Sequence, residues 1–441
     1  MLEFDILIFL NTIIFLYIFW YTKKRNLLGI FLISIVMFLY QMWGVFLYIT
    51  IPEISYTFDI GNIKTNYINS IWVLKIFIVS NLIFFICFFI SYKRKKEKKK
   101  KSLDYFVVNH TMVTKFFFII SSLGLISIYL TLIIKGGTYA RIEGTTQTVP
   151  FAGLLSLMSQ WVILYPMVRL YIFRKLDFYI IFFILLAFFG GILSGTSTAI
   201  LVILLPFLIL YFHSNGPISS KLFLLFGFTG YIILSVLRFA RFAVAQYLHG
   251  GSINFINFII SSGNSNLDSM KLSVQGSIDG FSPMLSIITH YSGIQQAYHL
   301  YGQSYLASFV QLIPGILAPW KSNFLSNSRP DFVLGHYLAT LAHNYNSTTL
   351  LPSGFVGEAY LNFGIFGVII ISAVLGVFMA KNEKLFHKAK YRIIPPPFLA
   401  IFVVTSFILM CRMYFSVFIM SIVSFSIPFI ILYILPKKVR H

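Results

Sequence analysis

Runs of roughly 20 apolar residues, the length a helix needs to cross about 30 Å of hydrocarbon, recur along the whole chain between short polar or cationic segments. They predict about eleven spans, at 4–21, 26–50, 69–92, 114–134, 151–173, 177–195, 198–213, 221–242, 353–380, 395–414 and 416–435. Each must be helical, because lipid offers no partner to exposed backbone amides. The expected fold is all-α, a polytopic transmembrane helical bundle forming one integral-membrane domain over 1–441. Most connections are short. Between the sixth and seventh spans the turn 194–198 is built of small residues, and Gly191 and Gly195 would let the two helices approach closely. One connection differs: residues 243–352, roughly 110 of them, form a single large loop between the eighth and ninth spans. It is neither low in complexity nor disordered in composition, holding Trp320 and apolar runs such as Tyr305 to Leu317. Long structured loops in compact proteins usually carry function, although a passive cap over the bundle would read the same way.

Charge orients this pattern. Lys and Arg gather in Lys23 to Arg25, Lys93 to Lys101, Arg174-Lys175, Lys221, Lys381 to Arg392 and Lys437 to Arg440. With the N-terminus outside and the C-terminus cytoplasmic, all of these fall on the inner side of a bacterial inner membrane and the large loop is extracytoplasmic, as the positive-inside rule requires. The composition agrees, with 58% hydrophobic and 11% charged residues and a mean hydropathy of +0.84. A formal charge of +21 would suit nucleic acid, but no basic stretch is interleaved with stacking aromatics in a polar context, so that class is excluded. Attraction to anionic membrane lipid is the secondary effect of such charge. The acidic start, Met1 to Asp5, precedes the apolar run and the cations follow it, the reverse of a cleaved secretory leader. Cys87 and Cys411 fall at different depths and are not expected to pair.

A cation on the sparsely positive side stands against the gradient and is therefore informative. Arg238 and Arg241 lie three apart at the outer end of the eighth span, on one helix face. Like charges there repel unless an anion lies between them, and a guanidinium fork suits phosphate oxygens; snorkelling to the interface is the other reading. Arg141 is a third external Arg, with Glu143 as a nearby partner. Lys321 and Arg329 flank Ser322 to Ser328 in the large loop, either as anion ligands or as solvated surface.

The same loop holds His249, His290, His299, His336 and His343. If Phe332 to Tyr345 is a helix, His336, Thr340 and His343 share a face. Zinc would want closer pairs with acidic or thiolate company, so no metal and no other cofactor is expected. A neutral imidazole taking a proton from a sugar hydroxyl fits the residue type better, with a structural role as the alternative for each. Glu358, in Gly357-Glu358-Ala359-Tyr360, is an acid just inside the ninth span among apolar residues. Burying a carboxylate is costly unless it is paired, and ionisable groups within the membrane are candidates for function; a salt bridge to an outer Arg is the structural alternative.

These residues carry a resemblance. Tyr301-Gly302-Gln303-Ser304-Tyr305, Ile313-Pro314, Pro319-Trp320-Lys321 and Leu351-Pro352-Ser353-Gly354, followed by Gly357 through Gly367, resemble the oligosaccharide repeat-unit polymerases of the Wzy type. That family is similar in architecture to O-antigen ligases and other GT-C-like membrane glycosyltransferases. The resemblance implies a metal-independent enzyme of the outer face that uses no nucleotide sugar. It would transfer a growing glycan from undecaprenyl diphosphate to a fresh lipid-linked repeat unit, building O-antigen or capsular polysaccharide, with a chain-length regulator and a flippase as partners. The related ligases use a His near an Asn at the end of the large loop, and His343-Asn344 stands at the matching place. Relatives often carry an Arg between the sixth and seventh spans, where this chain has Ser197-Thr198. The reading is thus a polymerase with Arg238 and Arg241 on the diphosphate and His343 or Glu358 as base. A glycan ligase of the same architecture is the alternative, and a flippase of lipid-linked sugar a more distant one, since internal repeats and mid-span charge are lacking.

Overall fold

The computed structural model describes residues 2–50, 67–93, 110–135, 152–193, 205–211, 280–293, 299–313, 317–328, 354–388 and 396–434, and these contain helices and no strand. The helices are α1 (Leu2–Lys24), α2 (Leu28–Thr50), α3 (Tyr67–Lys93), α4 (His110–Lys135), α5 (Ala152–Ser159), α6 (Leu164–Phe173), α7 (Phe178–Leu193), α8 (Phe281–Gly293), α9 (Gln303–Val310), α10 (Lys321–Ser328), α11 (Gly354–Lys388), α12 (Pro396–Arg412) and α13 (Phe415–Ile434). Residues 205–211 are also helical. Among the described residues, six helices are long and apolar enough to cross a membrane, in α1, α2, α3, α4, α11 and α13, and shorter apolar helices occupy Leu157–Phe173, Phe178–Gly191 and Ala400–Cys411. The protein is a multi-pass helical membrane protein. The predicted span 221–242 and most of 198–213 lie outside the described residues.

Contacts divide the chain into two units, one of Met1–Leu103, Gln275–Tyr391 and Ser406–Met420, the other of Asp104–Val274, Arg392–Thr405 and Ser421–His441. In the first unit a set of polar side chains is buried between helices, as lipid on the outside demands. Asn81 of α3 donates to Asn11 of α1 (3.1 Å) and to Gln41 of α2 (2.7 Å), and Gln41 donates back to the Asn81 side-chain Oδ1 (3.1 Å). All three are buried. Interhelical bonds of this kind contribute about 0.6–2 kcal/mol each. α3 and α11 meet through small residues: the Ser80 and Ser372 hydroxyls are 2.8 Å apart, and a Cβ on Gly376 would fall 2.3 Å from the Phe84 carbonyl oxygen. Glycine there lets the backbones touch.

In the second unit the span predicted over 151–173 is interrupted. A 3-10 turn, Gln160–Ile163, separates α5 from α6. Ser121 of α4 stitches the junction, donating to the Trp161 carbonyl (2.9 Å) and accepting from the Tyr165 amide (2.8 Å). The Trp161 indole donates to the Ser424 carbonyl (2.8 Å), and the Ser424 hydroxyl to the Leu157 carbonyl (2.6 Å). Asp177 precedes α7, accepts from the Ile180 amide (3.1 Å) as an N-cap, and pairs with Arg169. Cys87 and Cys411 are both free thiols.

Candidate functional site

α11 begins with Gly354 at φ +64, where a Cβ would stand 2.4 Å from the Cys411 carbonyl oxygen and 2.9 Å from the Tyr40 ring. Only glycine combines that backbone with that proximity. The helix then breaks at Phe363 (φ −143, ψ 19) and Gly364 (φ 61, ψ −148), the second a region reserved for glycine. The two halves bend tightly, since a Cβ on Gly367 would lie 2.3 Å from the Ala359 carbonyl oxygen.

A broken helix strands carbonyls, and a neighbouring segment takes them up. The Leu361 carbonyl accepts from the Leu300 amide (3.0 Å) and the Asn362 carbonyl from the Tyr301 amide (3.1 Å). His299 Nδ1 also lies 3.2 Å from the Leu361 carbonyl. Asn362 closes the junction: its Oδ1 accepts from the Gly302 amide (2.9 Å), and its Nδ2 donates to the Ser304 hydroxyl (2.6 Å) and to the Glu358 carbonyl (2.8 Å).

Glu358 sits at the centre, fully buried. Its Oε1 accepts from the Ser304 hydroxyl (2.7 Å) and its Oε2 from the Phe415 amide (2.6 Å). Phe415 opens α13, so the carboxylate meets both an orphan amide and the positive end of a helix dipole. Above it, the Tyr305 ring packs edge-on to Phe415 with centroids 5.2 Å apart. The Tyr305 hydroxyl is buried without a hydrogen-bond partner. Burial, helped by the nearby Glu358 charge, pushes this phenol well above its ordinary range and keeps it protonated.

Lys321, at the start of α10, donates to the Gln311 carbonyl (2.7 Å) and to the Ile313 carbonyl. It thus caps the carbonyl end of α9, where the helix dipole favours a cation. Burial lowers its pKa from the ordinary lysine range. α9 rises roughly 12 Å, with Glu358 bonded near its first turn and Lys321 past its last. The other residues expected at the site, Arg141, Arg238, Arg241, Arg329 and His343, lie outside the described residues, as does the Phe332 to Tyr345 segment with His336.

His299 was among the loop histidines considered, whereas Ser304, Tyr305 and Asn362 were not singled out for a role by residue type. Their signal was position: two motif stretches, Tyr301 to Tyr305 and Gly357 to Gly367, are brought side by side.

A family model described as "O-antigen polysaccharide polymerase Wzy" matches residues 2–439. The chain belongs to that family. Neither curated proteins nor solved structures gave a match.

Proposed function

We propose that this O-antigen polymerase joins undecaprenyl-diphosphate-linked repeat units on the outer face of the bacterial inner membrane. The observation that carries the reading is the polarity of the first unit along α11. At one end Lys384 donates to the Ser91 carbonyl (2.7 Å) and Glu383 accepts from the Ile30 amide (3.2 Å), which gathers the cationic termini of α1, α3 and α11. From Ile365 to Glu383 the helix rises roughly 27 Å, close to one bilayer. The motif junction around Glu358 lies at the opposite end. The positive-inside rule then makes the Glu358 end external.

In this reading the acceptor hydroxyl oxygen forms a bond to the anomeric carbon of the donor glycan. The bond from that carbon to the lipid diphosphate breaks, and the hydroxyl proton passes to a base. The Arg238 and Arg241 pair, with Arg141 and Arg329 as further candidates, stabilises charge on the departing diphosphate, a role for which a metal is not required. His343 is the base we favour. Both Glu358 oxygens already accept hydrogen bonds in a buried pocket, which suits a residue that positions α9 and α13 more than one that exchanges protons with substrate. Lys321, held on carbonyls, orders the loop.

Purified full-length protein given lipid-linked repeat units in detergent, without ATP or gradient, is expected to form a ladder of longer glycans. Arg238→Ala and Arg241→Ala should each stop the ladder while the protein stays folded. A full ladder from both variants would overturn the diphosphate assignment. A deletion strain should display a single repeat unit on its acceptor, whereas loss of a ligase would leave the acceptor bare.

A further inference from the structure

α9 is inside out. Its buried positions are Ser304, Ala307, Ser308 and Val310, with the Ser308 hydroxyl returned to the Ser304 carbonyl (2.9 Å). Its open face carries Leu306, 56% exposed, and Phe309, 52% exposed. The residues that follow are exposed as well: Ile313, Leu317 (74%) and Trp320 (54%). Burying side chains of this size is favourable, and a loop helix facing water would turn its hydroxyls outward and its Leu and Phe inward.

The spans show the same inverted arrangement. α11 turns Ser372 and Gly376 to α3, while Phe366, Ile370, Val374 and Phe378 form an exposed stripe at intervals of four residues. That stripe continues into the loop. Phe363 is exposed at the top of it, and its ring tip comes within 3.0 Å of where a Gly302 Cβ would lie, beside exposed Tyr301 and the first turn of α9. The exposed residues of α9 therefore begin beside Phe363, next to the exposed stripe of α11 that the span reading turns to lipid. An eight-residue helix is too short to cross the bilayer.

We infer that α9 and the Leu317–Trp320 turn are immersed in one leaflet, with lipid chains covering Leu306, Phe309 and Leu317. Part of the 243–352 connection is then membrane rather than aqueous structure. Trp320 takes the interfacial depth that indole prefers, and the Lys321 ammonium is turned onto backbone carbonyls instead of lipid. The Glu358 junction accordingly lies at the membrane boundary. If the function proposed above holds, a lipid-borne substrate meets the junction without leaving the bilayer; the immersion itself does not depend on that function.

The test is spin-label accessibility in the full-length protein, reconstituted in phosphatidylethanolamine–phosphatidylglycerol vesicles on a Cys87→Ser, Cys411→Ala background. Labels go on Leu306→Cys, Phe309→Cys and Leu317→Cys, with Ile370→Cys as the lipid reference and Lys381→Cys as the polar-end reference. Oxygen accessibility as high as at Ile370→Cys, with a water-soluble nickel complex excluded, is the expected result. Nickel accessibility matching Lys381→Cys would overturn the inference in favour of an aqueous loop. Protection from both reagents would overturn it in favour of a protein cover.

Discussion

The two halves of α11 have one sequence character and two structural lives. From Gly354 to Asn362 almost every side chain is buried, including a carboxylate and a carboxamide, and the helix is held by hydrogen bonds from α9 and α13. From Ile365 to Leu385 one stripe is exposed and the opposite face packs on α3 through serine and glycine. The first half is a seat for polar groups and the second is a membrane anchor. The break at Phe363–Gly364 lets one helix be both, because it frees carbonyls that the His299–Gly302 segment then binds.

Substitutions should separate the halves. The largest effect is expected from Glu358→Ala, which strands the Ser304 hydroxyl and the Phe415 amide in a buried site. Losing the acceptor for buried donors costs about 1–3 kcal/mol each, so folded yield by fluorescence-detected size exclusion should collapse and polymer with it. Normal yield would show that the junction does not hold the fold. Gly376→Val tests the other half, since its side chain would collide with the Phe84 backbone. Overpacking of this sort costs about 1–3 kcal/mol, visible as a lowered thermal midpoint, while the Glu358 junction should remain intact in the folded fraction.

Asn362→Leu removes the acceptor for Gly302 and a donor to Ser304. We expect about 1–3 kcal/mol of destabilisation, with Tyr305 becoming more accessible to iodination. A double-mutant cycle over Ser80→Ala and Ser372→Ala should return a coupling near 0.6 kcal/mol, about the average for such bonds in membrane proteins. The smallest effect belongs to Tyr305→Phe. Its hydroxyl has no partner to lose, so stability near neutrality should be unchanged or slightly raised. Because the folded phenol titrates above its ordinary value of about 10, its contribution is complete below that pH and is lost as pH rises towards the folded value. Alkaline unfolding above about pH 10 should therefore be shallower in Tyr305→Phe than in the parent.

Helix positions were legible in the sequence because bilayer thickness sets a length that hydropathy reports directly. The span expected at 416–435 is α13 (Phe415–Ile434), while the segment 395–414 holds the shorter apolar helix α12 (Pro396–Arg412). The interruptions were not legible. Gln160–Ile163 and Phe363–Gly364 sit inside apolar runs, so the composition carries on across them while the hydrogen-bonding pattern changes. Glu358 stood out as a carboxylate among apolar neighbours, but its partners are ordinary residues 54 and 57 positions away.

By itself, then, the sequence determined an all-helical membrane protein, because lipid solvation acts on each segment separately. Only the tertiary structure decided that Ser304, Glu358, Asn362 and Phe415 share one junction and that the apolar face of α9 points away from the protein. Both outcomes depend on which orphaned backbone and side-chain groups find each other across long stretches of chain, and no local periodicity encodes that choice.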